Sequence, residues 1–492
     1  MKRTIYKIIS LALTVVIVAG CSKLEDFGDT NVNPAATTKP NTAALLTNVL
    51  SQIGGYAFIV RGGLYCQYFS ETQYTDASLY ADNSTDPSGA YSGILYDLEN
   101  IIITNTDEKT KDEAALNGAN ENQIAIARIL KAYIFWTITD RWGDVPYSEA
   151  LKGNPIVAFD TQETIYKSLI NELKEAVAQF TTSGGPIKGD IAYNGDIAKW
   201  KKLANSLRML MALRLSKVYP GANEYAATEF NAALNDPAGH IETNADNFAL
   251  TYPGGNFKHP VYNLYDGRKD YGESNTMTNI MTTVGGGDPR QAVYGATVTG
   301  APSTNGVPYG WTRDKTEAWT AANPDWCYIL HIDYRQPTST IYIVDASHVL
   351  LARAEAADRG WTAETANTKT LYEAGITASF TKWGLPAPTP GYLSHSTVAL
   401  ANPFGTGANL QNIHMQQYIA YYPDGLQGWS HWRRTNVPAL TPAEDAVNDP
   451  PTIPRRYRYH QTNYALNGPA LQEAISRLTG GDKMESRIWW DK

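Results

Sequence analysis

Apolar residues recur at intervals of three and four along several stretches of the chain, which is the spacing of a helix that buries one face. The most regular stretch is NQIAIARILKAYIFWTITDRWGDVPY. The residues of its apolar face are Ile124, Ala127, Leu130, Ile134 and Ile138. Gly143 and Pro146 follow in the order that ends a helix. The pattern therefore predicts a long helix that stops just before Gly143.

The same spacing predicts two further helices before residue 219. FDTQETIYKSLINELKEAVAQF begins with Asp160 and Glu163 at capping-box separation. Its predicted buried stripe consists of Ile165, Leu169, Leu173, Val177 and Phe180. In GDIAKWKKLANSLRMLMALRLSKV the corresponding residues are Trp200, Leu203, Leu207, Leu210 and Leu213. The basic residues that we expect on the solvated face of this third helix are Lys201, Lys202, Arg208 and Arg214.

Gly, Pro, Asn and aromatic residues dominate residues 219–341, where helical spacing is hard to find. GGGDP at residues 285–289 indicates a turn, because the preceding strand and following helix N-terminus that a phosphate cradle requires are not apparent in the sequence. So long an irregular insertion is usually functional or disordered. Its many rings favour order, since they can bury apolar surface and offset the ordering entropy.

Helical spacing resumes in YIVDASHVLLARAEAADRGW. We expect Val349, Leu350, Ala354 and Ala357 to point inward, and LYEAGITASFTKWG to form the antiparallel partner helix. Short helix pairs with Gly-marked ends are typical of tetratricopeptide-like packing, but two helices also pair without forming a solenoid. The spacing alone leaves both arrangements open.

The start of the chain has the build of an export and anchoring segment. A basic beginning precedes an apolar run over residues 8–19, which is too short to cross a bilayer comfortably. Small residues then lead to Cys21 in the lipobox pattern of bacterial lipoproteins, the alternative being a secretory signal with an accidental cysteine. We expect residues 1–20 to be a signal peptide and residues 21–40 a lipidated cysteine with its tether, an anchor that does not span. We expect no later apolar run to be long enough to span a membrane.

Charge and cysteine content narrow the class of protein. The formal net charge is -8, and residues 1–20 carry three positive and no negative charges, so the remainder carries -11. This balance argues against nucleic acid as a partner. Cys66 and Cys327 lie among aromatic residues, where we expect buried free thiols, with a single disulfide bridge as the alternative. The 31 Tyr and 12 Trp favour recognition, because these rings combine an apolar face with a polar handle.

Catalytic and cofactor motifs give no signal. The chain contains no G-x-x-x-x-G-K-[ST], H-E-x-x-H or G-x-S-x-G, and we expect no metal, no cofactor and no enzymatic activity. A glycosidase would need two carboxylates facing one cleft. Candidate carboxylates in Tyr-rich loops are Asp76, Asp82, Asp86, Asp266 and Glu273. We favour their interpretation as loop caps and as hydrogen-bond partners of a polar ligand.

Several stretches, in order, resemble the SusD/RagB family and within it the SusD-like outer-membrane lipoproteins. ARILKAYIFWTITDRWGDVPYSEAL is similar to the family helix that ends in an arginine, an aromatic residue and Gly-Asp-x-Pro. TIYKSLINELKEAV resembles the next helix of the family, and WKKLANSLRMLMALRL resembles the helix near the domain centre. IVDASHVLLARAEAADRGW resembles the family helix with the sequence ADVLLMRAEA. GLQGWSHWRRTNVPAL and IPRRYRYHQTNYALN resemble the C-terminal pattern. Ser347 and His348 depart from the family, which commonly has Asp and Val there.

The resemblance implies a mostly α-helical body, in which tetratricopeptide-like helix pairs form a scaffold and irregular aromatic-rich segments form a ligand-binding half. We place this single body at residues 41–492, with the scaffold at about 41–218 and 342–492 and the binding insertion at about 219–341. It also implies an outer-membrane protein, lipid-anchored at Cys21 and facing the cell surface. Such a protein sits as a lid over a SusC-like TonB-dependent barrel.

The leading functional hypothesis is capture of an oligosaccharide nutrient and its delivery to that barrel. Sugar rings lie on Tyr or Trp, and their hydroxyls bond Asp, Asn and Arg. QYFSETQYTDASLYADN and YGWTRDKTEAW carry this mix, and the resemblance implies ligand contacts from an early loop and from the insertion. The candidate ligand-binding residues are Tyr74, Asp76, Tyr80, Asp82, Trp311, Arg313, Asp314 and Trp319. For each ring the alternative is a buried core contact.

Three other functions stay open. Relatives in the family serve peptide import, so a peptide-binding lid of the same kind of transporter is the first alternative. A lid with no small ligand would bury the candidate rings against the barrel, and a glycoside hydrolase is the weakest alternative. Arg433 and Arg434 follow Trp432, and we expect this arginine pair to hold loops to carboxylates rather than to bind ligand.

Overall fold

The computed structural model describes residues 40–82, 84–154 and 156–492. The predicted signal peptide, the Cys21 lipidation site and nearly all of the tether lie outside these residues, and their assignments stay predictions. Thr42–Lys492 forms one unit. The helices before residue 219 are α1 (Thr42–Ala57), α2 (Val60–Tyr65), α3 (Ser88–Ser92), α4 (Ile94–Thr106), α5 (Lys111–Ala114), α6 (Asn120–Trp142), α7 (Gln162–Gln179) and α8 (Ile197–Arg214).

The rest of the chain alternates helices with short strands. Between residues 219 and 341 the helices are α9 (Tyr225–Leu234), α10 (Pro260–Tyr265), α11 (Asn275–Thr283), α12 (Gln291–Tyr294) and α13 (Arg313–Ala322). After residue 341 they are α14 (Ala346–Asp358), α15 (Thr368–Thr381), α16 (Pro390–Ser394), α17 (Leu410–Tyr421), α18 (Gly425–Thr435), α19 (Gln461–Leu466) and α20 (Gly468–Ser476). The strands are β1 (Phe69–Glu71), β2 (Phe248–Thr251), β3 (Tyr271–Glu273), β4 (Gly295–Ala296), β5 (Tyr328–Ile329) and β6 (Thr340–Val344).

Helices that follow one another pack in pairs, which confirms the mostly helical, paired scaffold. α6 packs on α7, α7 on α8, α14 on α15 and α17 on α18, while α8 and α14 join the two parts of the scaffold. The predicted apolar stripes of α7, α8 and α14 are buried. α6 is buried on nearly all sides and ends at Gly143, whose φ of 87° confirms the predicted stop.

The start of α7 differs from the predicted capping box. Thr161 is the N-cap, and its side-chain oxygen accepts a hydrogen bond from the Thr164 N–H at 3.2 Å. Asp160 instead accepts hydrogen bonds from the N–H groups of Tyr147 at 3.0 Å and Ser148 at 2.9 Å. The prediction of an Asp160 cap is therefore wrong, because this carboxylate satisfies the loop that precedes the helix.

Two arginines that we expected on the solvated face of α8 are buried. Arg208 lies 3.7 Å from a carboxylate oxygen of Glu229, on the neighbouring helix α9. Arg214 lies between the rings of Trp136 and Trp490, with its guanidinium carbon 5.5 and 5.4 Å from their centroids. The prediction is wrong for both residues, because α9 lies over Arg208 and Trp490, near the end of the chain, lies over Arg214.

The insertion contains more helix than its composition predicts. Two of its helices, α10 and α11, begin at side-chain caps: His259 Nδ1 accepts from the Val261 N–H at 3.2 Å, and Ser274 accepts from the Met277 N–H at 3.1 Å. Such caps start helices that are too short to show an apolar period. GGGDP forms a turn as predicted, with φ between 66° and 118° at residues 285–287.

β1 and β3 join the early loop, residues 67–82, to the insertion, residues 219–341. They pair antiparallel, with Phe69 opposite Glu273 and Glu71 opposite Tyr271. Just beyond the ladder, the Thr72 N–H donates to the Asp270 carbonyl at 2.8 Å. The segment that carries the first group of candidate ligand residues therefore leaves from a fixed point on the insertion.

The departure from the family pattern at Ser347 and His348 preserves the start of α14. Asp345 is the N-cap and accepts from the N–H groups of Ser347 at 2.9 Å and His348 at 3.3 Å. His348 Nδ1 in turn accepts from the Asp345 N–H at 3.4 Å, which completes a capping box. Burial lowers the pKa of His348 to about 4, so the ring is neutral near pH 7.

Arg433 and Arg434 have the structural role that we predicted. Arg434 donates two hydrogen bonds to the buried Glu355 carboxylate, at 2.5 and 2.7 Å. Arg359 and Gln417 donate to the same carboxylate at 2.8 and 2.9 Å. Arg433 donates to a backbone carbonyl of the C-terminal segment at 2.8 Å. The pair thus ties α18 to α14 and to the end of the chain.

Cys66 and Cys327 are buried free thiols, as predicted. Burial raises the pKa of the Cys66 thiol well above its usual value, and burial also raises that of Cys327. Both thiols stay protonated near neutral pH, which suits a packing role rather than a reactive one.

One segment contradicts our expectation that no later apolar run would be long enough to span a membrane. Thr42–Tyr65, which covers α1 and α2, meets that criterion by length and composition. Its apolar side chains Leu46, Val49, Leu50 and Ile53 are buried in the core. At Gly62 an added Cβ would lie 2.7 Å from backbone atoms of Gly425, so α2 packs closely on α18. These contacts identify the segment as part of the folded core.

Candidate functional site

Residues from the two segments predicted to bind ligand lie together on the surface. The Tyr74 ring is 57% exposed, and the guanidinium carbons of Arg268 and Arg313 lie 5.6 and 5.5 Å from its centroid. Arg313 Nε donates to Glu317 at 2.8 Å and Arg268 Nε donates to Asp270 at 2.5 Å. These pairings hold both guanidinium groups over the ring, so the exposed aromatic surface of Tyr74 is shared with two cations.

A cavity of about 210 Å³ opens between this loop and α13. Its lining includes Thr72 and Gln73 from the loop, Lys269 from the insertion, and Glu317 and Trp326. Hydroxyl, amide, ammonium and carboxylate groups are the hydrogen-bond partners of a polyhydroxylated ligand. Lys269 was not among the predicted ligand residues, because it lies in a turn after Gly267, where the sequence has no periodic pattern.

The remaining candidates around α13 differ in exposure. Trp311 is half-buried, and its Nε1–H donates to Glu444 at 2.9 Å. Asp314 is exposed in the first turn of the helix. Trp319 is half-buried and packs on a small apolar cluster separate from the main core. That cluster consists of Val307, Trp326 and Tyr328. Trp319 thus packs against this cluster, next to the cavity-lining Trp326, and does not itself line the cavity.

Tyr80 corrects the prediction for the early loop. It is 1% exposed, and its hydroxyl accepts a hydrogen bond from the Ala443 N–H at 3.0 Å. A ring so buried cannot offer its face to a ligand, so Tyr80 braces the loop instead. Asp76 and Asp82 are exposed, as a ligand contact requires, and Asp82 forms an ion pair with Arg458.

Residues 443–447, which carry no signal in the sequence, tie the early loop to α13. The Asp445 carboxylate accepts from the Thr312 N–H at 2.9 Å, and the Val447 N–H donates to the Leu79 carbonyl at 2.9 Å. The Val447 side chain is 63% exposed. The segment gave no signal in the sequence, because its role depends on contacts more than 100 residues away along the chain.

The other loop carboxylates have local partners. Asp86 accepts from the Ser88 N–H at 2.9 Å, and Asp266 lies 2.8 Å from Lys258 Nζ. Glu273 is fully buried and accepts from Gln291 Nε2 at 2.8 Å. Glu273 therefore has no access to a ligand, whereas the first two act as the loop partners that we predicted.

Replacing Glu273 by glutamine is expected to weaken the pH dependence of stability. Burial raises the pKa of Glu273 from 4.5 to about 8, although the Gln291 hydrogen bond opposes this. The native state therefore keeps a proton that the unfolded chain releases above pH 4.5, and the stability that it contributes is lost as pH rises through about 8. Between pH 5 and pH 6.5 we expect the native protein to lose about 2 kcal/mol more than Glu273→Gln.

Urea unfolding across this pH range measures the difference. Glu317→Gln, at an exposed carboxylate, is the control and should follow the native protein. Parallel curves for native protein and Glu273→Gln would show that Glu273 does not hold the proton.

Comparison with known proteins supports one family. A family model described as SusD-like_2, starch-binding and associating with the outer membrane, matches residues 34–460. A search of curated protein sequences gave no match. A solved structure named as a chitin-binding protein is 26% identical, with a TM-score of 0.74, and the match covers 92% of this chain and 100% of that one.

Two further solved structures are similar in fold. One is described as a chitin-binding SusD homolog from Flavobacterium johnsoniae, 24% identical with a TM-score of 0.76, covering 92% of this chain and 98% of that one. The other is a SusD homolog from Bacteroides uniformis, also 24% identical, with a TM-score of 0.77 and coverage of 92% and 99%. At these identities the likeness establishes the architecture, and the ligand has to be argued from the residues of this chain.

Proposed function

Since the chain belongs to the SusD-like family, whose members bind nutrients at the outer membrane, we propose that it captures an oligosaccharide and passes it to a SusC-like TonB-dependent barrel. Lipid anchoring at Cys21 and exposure at the cell surface are part of this proposal. A protein held there by one acylated residue remains free to bind ligand and barrel while staying at the membrane. In this function it is a binding protein and not an enzyme.

The exposed ring of Tyr74, with two arginines close to it, is the observation that carries the proposal. An exposed ring with hydrogen-bonding groups around it matches a sugar, which presents C–H groups on one face and hydroxyls at its edge. Arg268 and Arg313 lie over the ring, with guanidinium carbons 5.6 and 5.5 Å from its centroid, and Gln73 and Glu317 line the adjacent cavity. Two solved relatives are described as chitin-binding, which supports a glycan as the ligand class.

Isothermal titration tests the proposal directly. The protein should lack residues 1–21 and keep the whole unit Thr42–Lys492. It is titrated with oligosaccharides of plant, host and microbial origin, including chito-oligosaccharides, and with a peptide mixture. We expect saturable binding to at least one glycan. Binding to peptides alone would make the protein a peptide-binding lid, and binding to nothing would leave a lid whose partner is the barrel.

Chromatography of the titrated mixture separates binding from hydrolysis. A binding protein returns the oligosaccharide at its original length after prolonged incubation. Shortened products would revive the glycosidase alternative, in which two carboxylates must face one cleft.

Membrane fractionation tests the anchor independently of the ligand. The native chain should sediment with the outer membrane, and a Cys21→Ser variant should be released into the soluble fraction, because the variant has no thiol to acylate. Equal membrane association of both proteins would contradict lipidation at this residue.

A further inference from the structure

We infer that the ligand site is elongated and that its far end is a second cavity, of about 460 Å³, around Asp82 and Arg458. The inference rests on the proposed function and narrows it. It names the ligand as a linear oligosaccharide of several units, and it assigns to Arg458 and Val447 contacts with the units farthest from Tyr74.

A series of contacts among surface residues links Tyr74 to this cavity. Arg313 stands 5.5 Å from the Tyr74 centroid and follows Thr312, whose N–H donates to Asp445 at 2.9 Å. Two residues farther on, the Val447 N–H donates to the early loop at 2.9 Å, just before the loop enters the second cavity. We call this the binding strip. Its members are Tyr74, Arg313, Trp311, Glu444, Val447, Asp82 and Arg458.

The second cavity has polar chemistry suited to sugar hydroxyls. The Asp82 carboxylate and the Arg458 guanidinium form an ion pair, with 60% and 32% of the two side chains exposed. One ion pair does not use every acceptor of a carboxylate or every donor of a guanidinium, so both groups can also bond a ligand. Asn448 also lines the cavity. Exposed pairs of this kind add little to stability, which leaves a binding role open to them.

Apolar groups recur along the binding strip between the charged ones. Tyr74 and Val447 are 57% and 63% exposed, and Trp311 is half-buried between them in the strip. Single exposed apolar residues are normal on a protein surface. A row of them that alternates with hydrogen-bonding side chains matches a linear glycan, which repeats an apolar ring face and a hydroxylated edge at every unit. A ligand of one or two units could occupy only one end of such a strip.

The test is titration with chain-length series. Chito-, malto- and cello-oligosaccharides of two to six units are titrated into the native protein and into Arg458→Gln. For the series that binds, we expect affinity to rise with chain length in the native protein. Arg458→Gln should lower the affinity for the hexamer by about tenfold and leave that for the dimer unchanged, because only the longer chain reaches the second cavity.

A second variant separates binding from any loss of fold. Val447→Ser removes an exposed apolar side chain and keeps the backbone hydrogen bond to the early loop. It should also weaken the hexamer selectively. Leu466→Ser is the matched control, because Leu466 is 74% exposed and lies outside the binding strip. Its affinity for every chain length should equal that of the native protein.

The outcomes distinguish the inference from the proposed function. If Tyr74→Ala removes binding but neither Arg458→Gln nor Val447→Ser alters hexamer affinity, the elongated site is wrong and glycan capture stands. If affinity does not change from two to six units, the inference is also overturned. If no oligosaccharide of any length binds, the proposed function fails and the inference fails with it.

Discussion

Replacing Tyr74 by alanine is expected to lower the affinity for the bound oligosaccharide at least about 30-fold, or about 2 kcal/mol. The reason is that the exposed Tyr74 ring is the platform on which a sugar can lie, while Arg268 and Arg313 flank it and supply hydrogen bonds. Isothermal titration with the glycan identified for the native protein measures the loss. Tyr74→Phe keeps the ring and should retain most of the affinity.

Tyr96→Ala is the matched control for this prediction. Tyr96 is 51% exposed, on helix α4, and no member of the binding strip lies on that helix. Its replacement removes a comparable exposed ring and should leave affinity unchanged. Equal losses in both variants would indicate a non-specific effect of removing surface tyrosine. Unchanged affinity in Tyr74→Ala would place the ligand elsewhere on the protein.

Replacing Arg434 by methionine is expected to lower the free energy of unfolding by about 3–5 kcal/mol at pH 7. Burial by itself would raise the pKa of Glu355, yet Arg434 and the other cations around it hold that pKa well below its usual value. The carboxylate therefore stays charged in the core. Removal of Arg434 takes away its two shortest hydrogen bonds and leaves the charge partly uncompensated.

Urea unfolding measures this loss against two comparisons. Lys369→Met, which breaks an exposed pair with Glu373 at 3.7 Å, should change stability by less than about 0.5 kcal/mol. Combining Arg434→Met with Glu355→Gln removes the charge as well as its partner and should recover part of the loss. A loss in Arg434→Met no larger than in Lys369→Met would show that Arg359 and Gln417 suffice to hold Glu355.

Local sequence patterns predicted the scaffold helices well, because helix formation and helix ends depend on residues that are close together in the chain. The apolar repeat of three and four residues placed the buried stripes of α7, α8 and α14, and a glycine placed the end of α6. The same patterns failed where a partner lies far along the chain. Capping-box spacing selected Asp160, which bonds the preceding loop, and the basic flank of α8 proved to be covered in part by another helix and the C-terminal segment.

The early loop shows the same limit at the candidate site. Tyr74 and Tyr80 are six residues apart, and nothing in the sequence distinguishes which of them is a ligand-binding residue. In the structure Tyr74 is open, while Tyr80 is buried with its hydroxyl bonded to Ala443. Arg268, Glu444 and Arg458 join the surface from distant parts of the chain and have no local signal.

The sequence by itself determined the helical class, the long helices of the scaffold that it predicted and the family of this protein, because apolar periodicity and ordered motifs are properties of neighbouring residues. It also located the two segments from which ligand contacts are proposed. Only the tertiary structure decided which rings face solvent and which charges lie beside them. Exposure depends on what packs over a side chain, and here the covering atoms belong to residues hundreds of positions away.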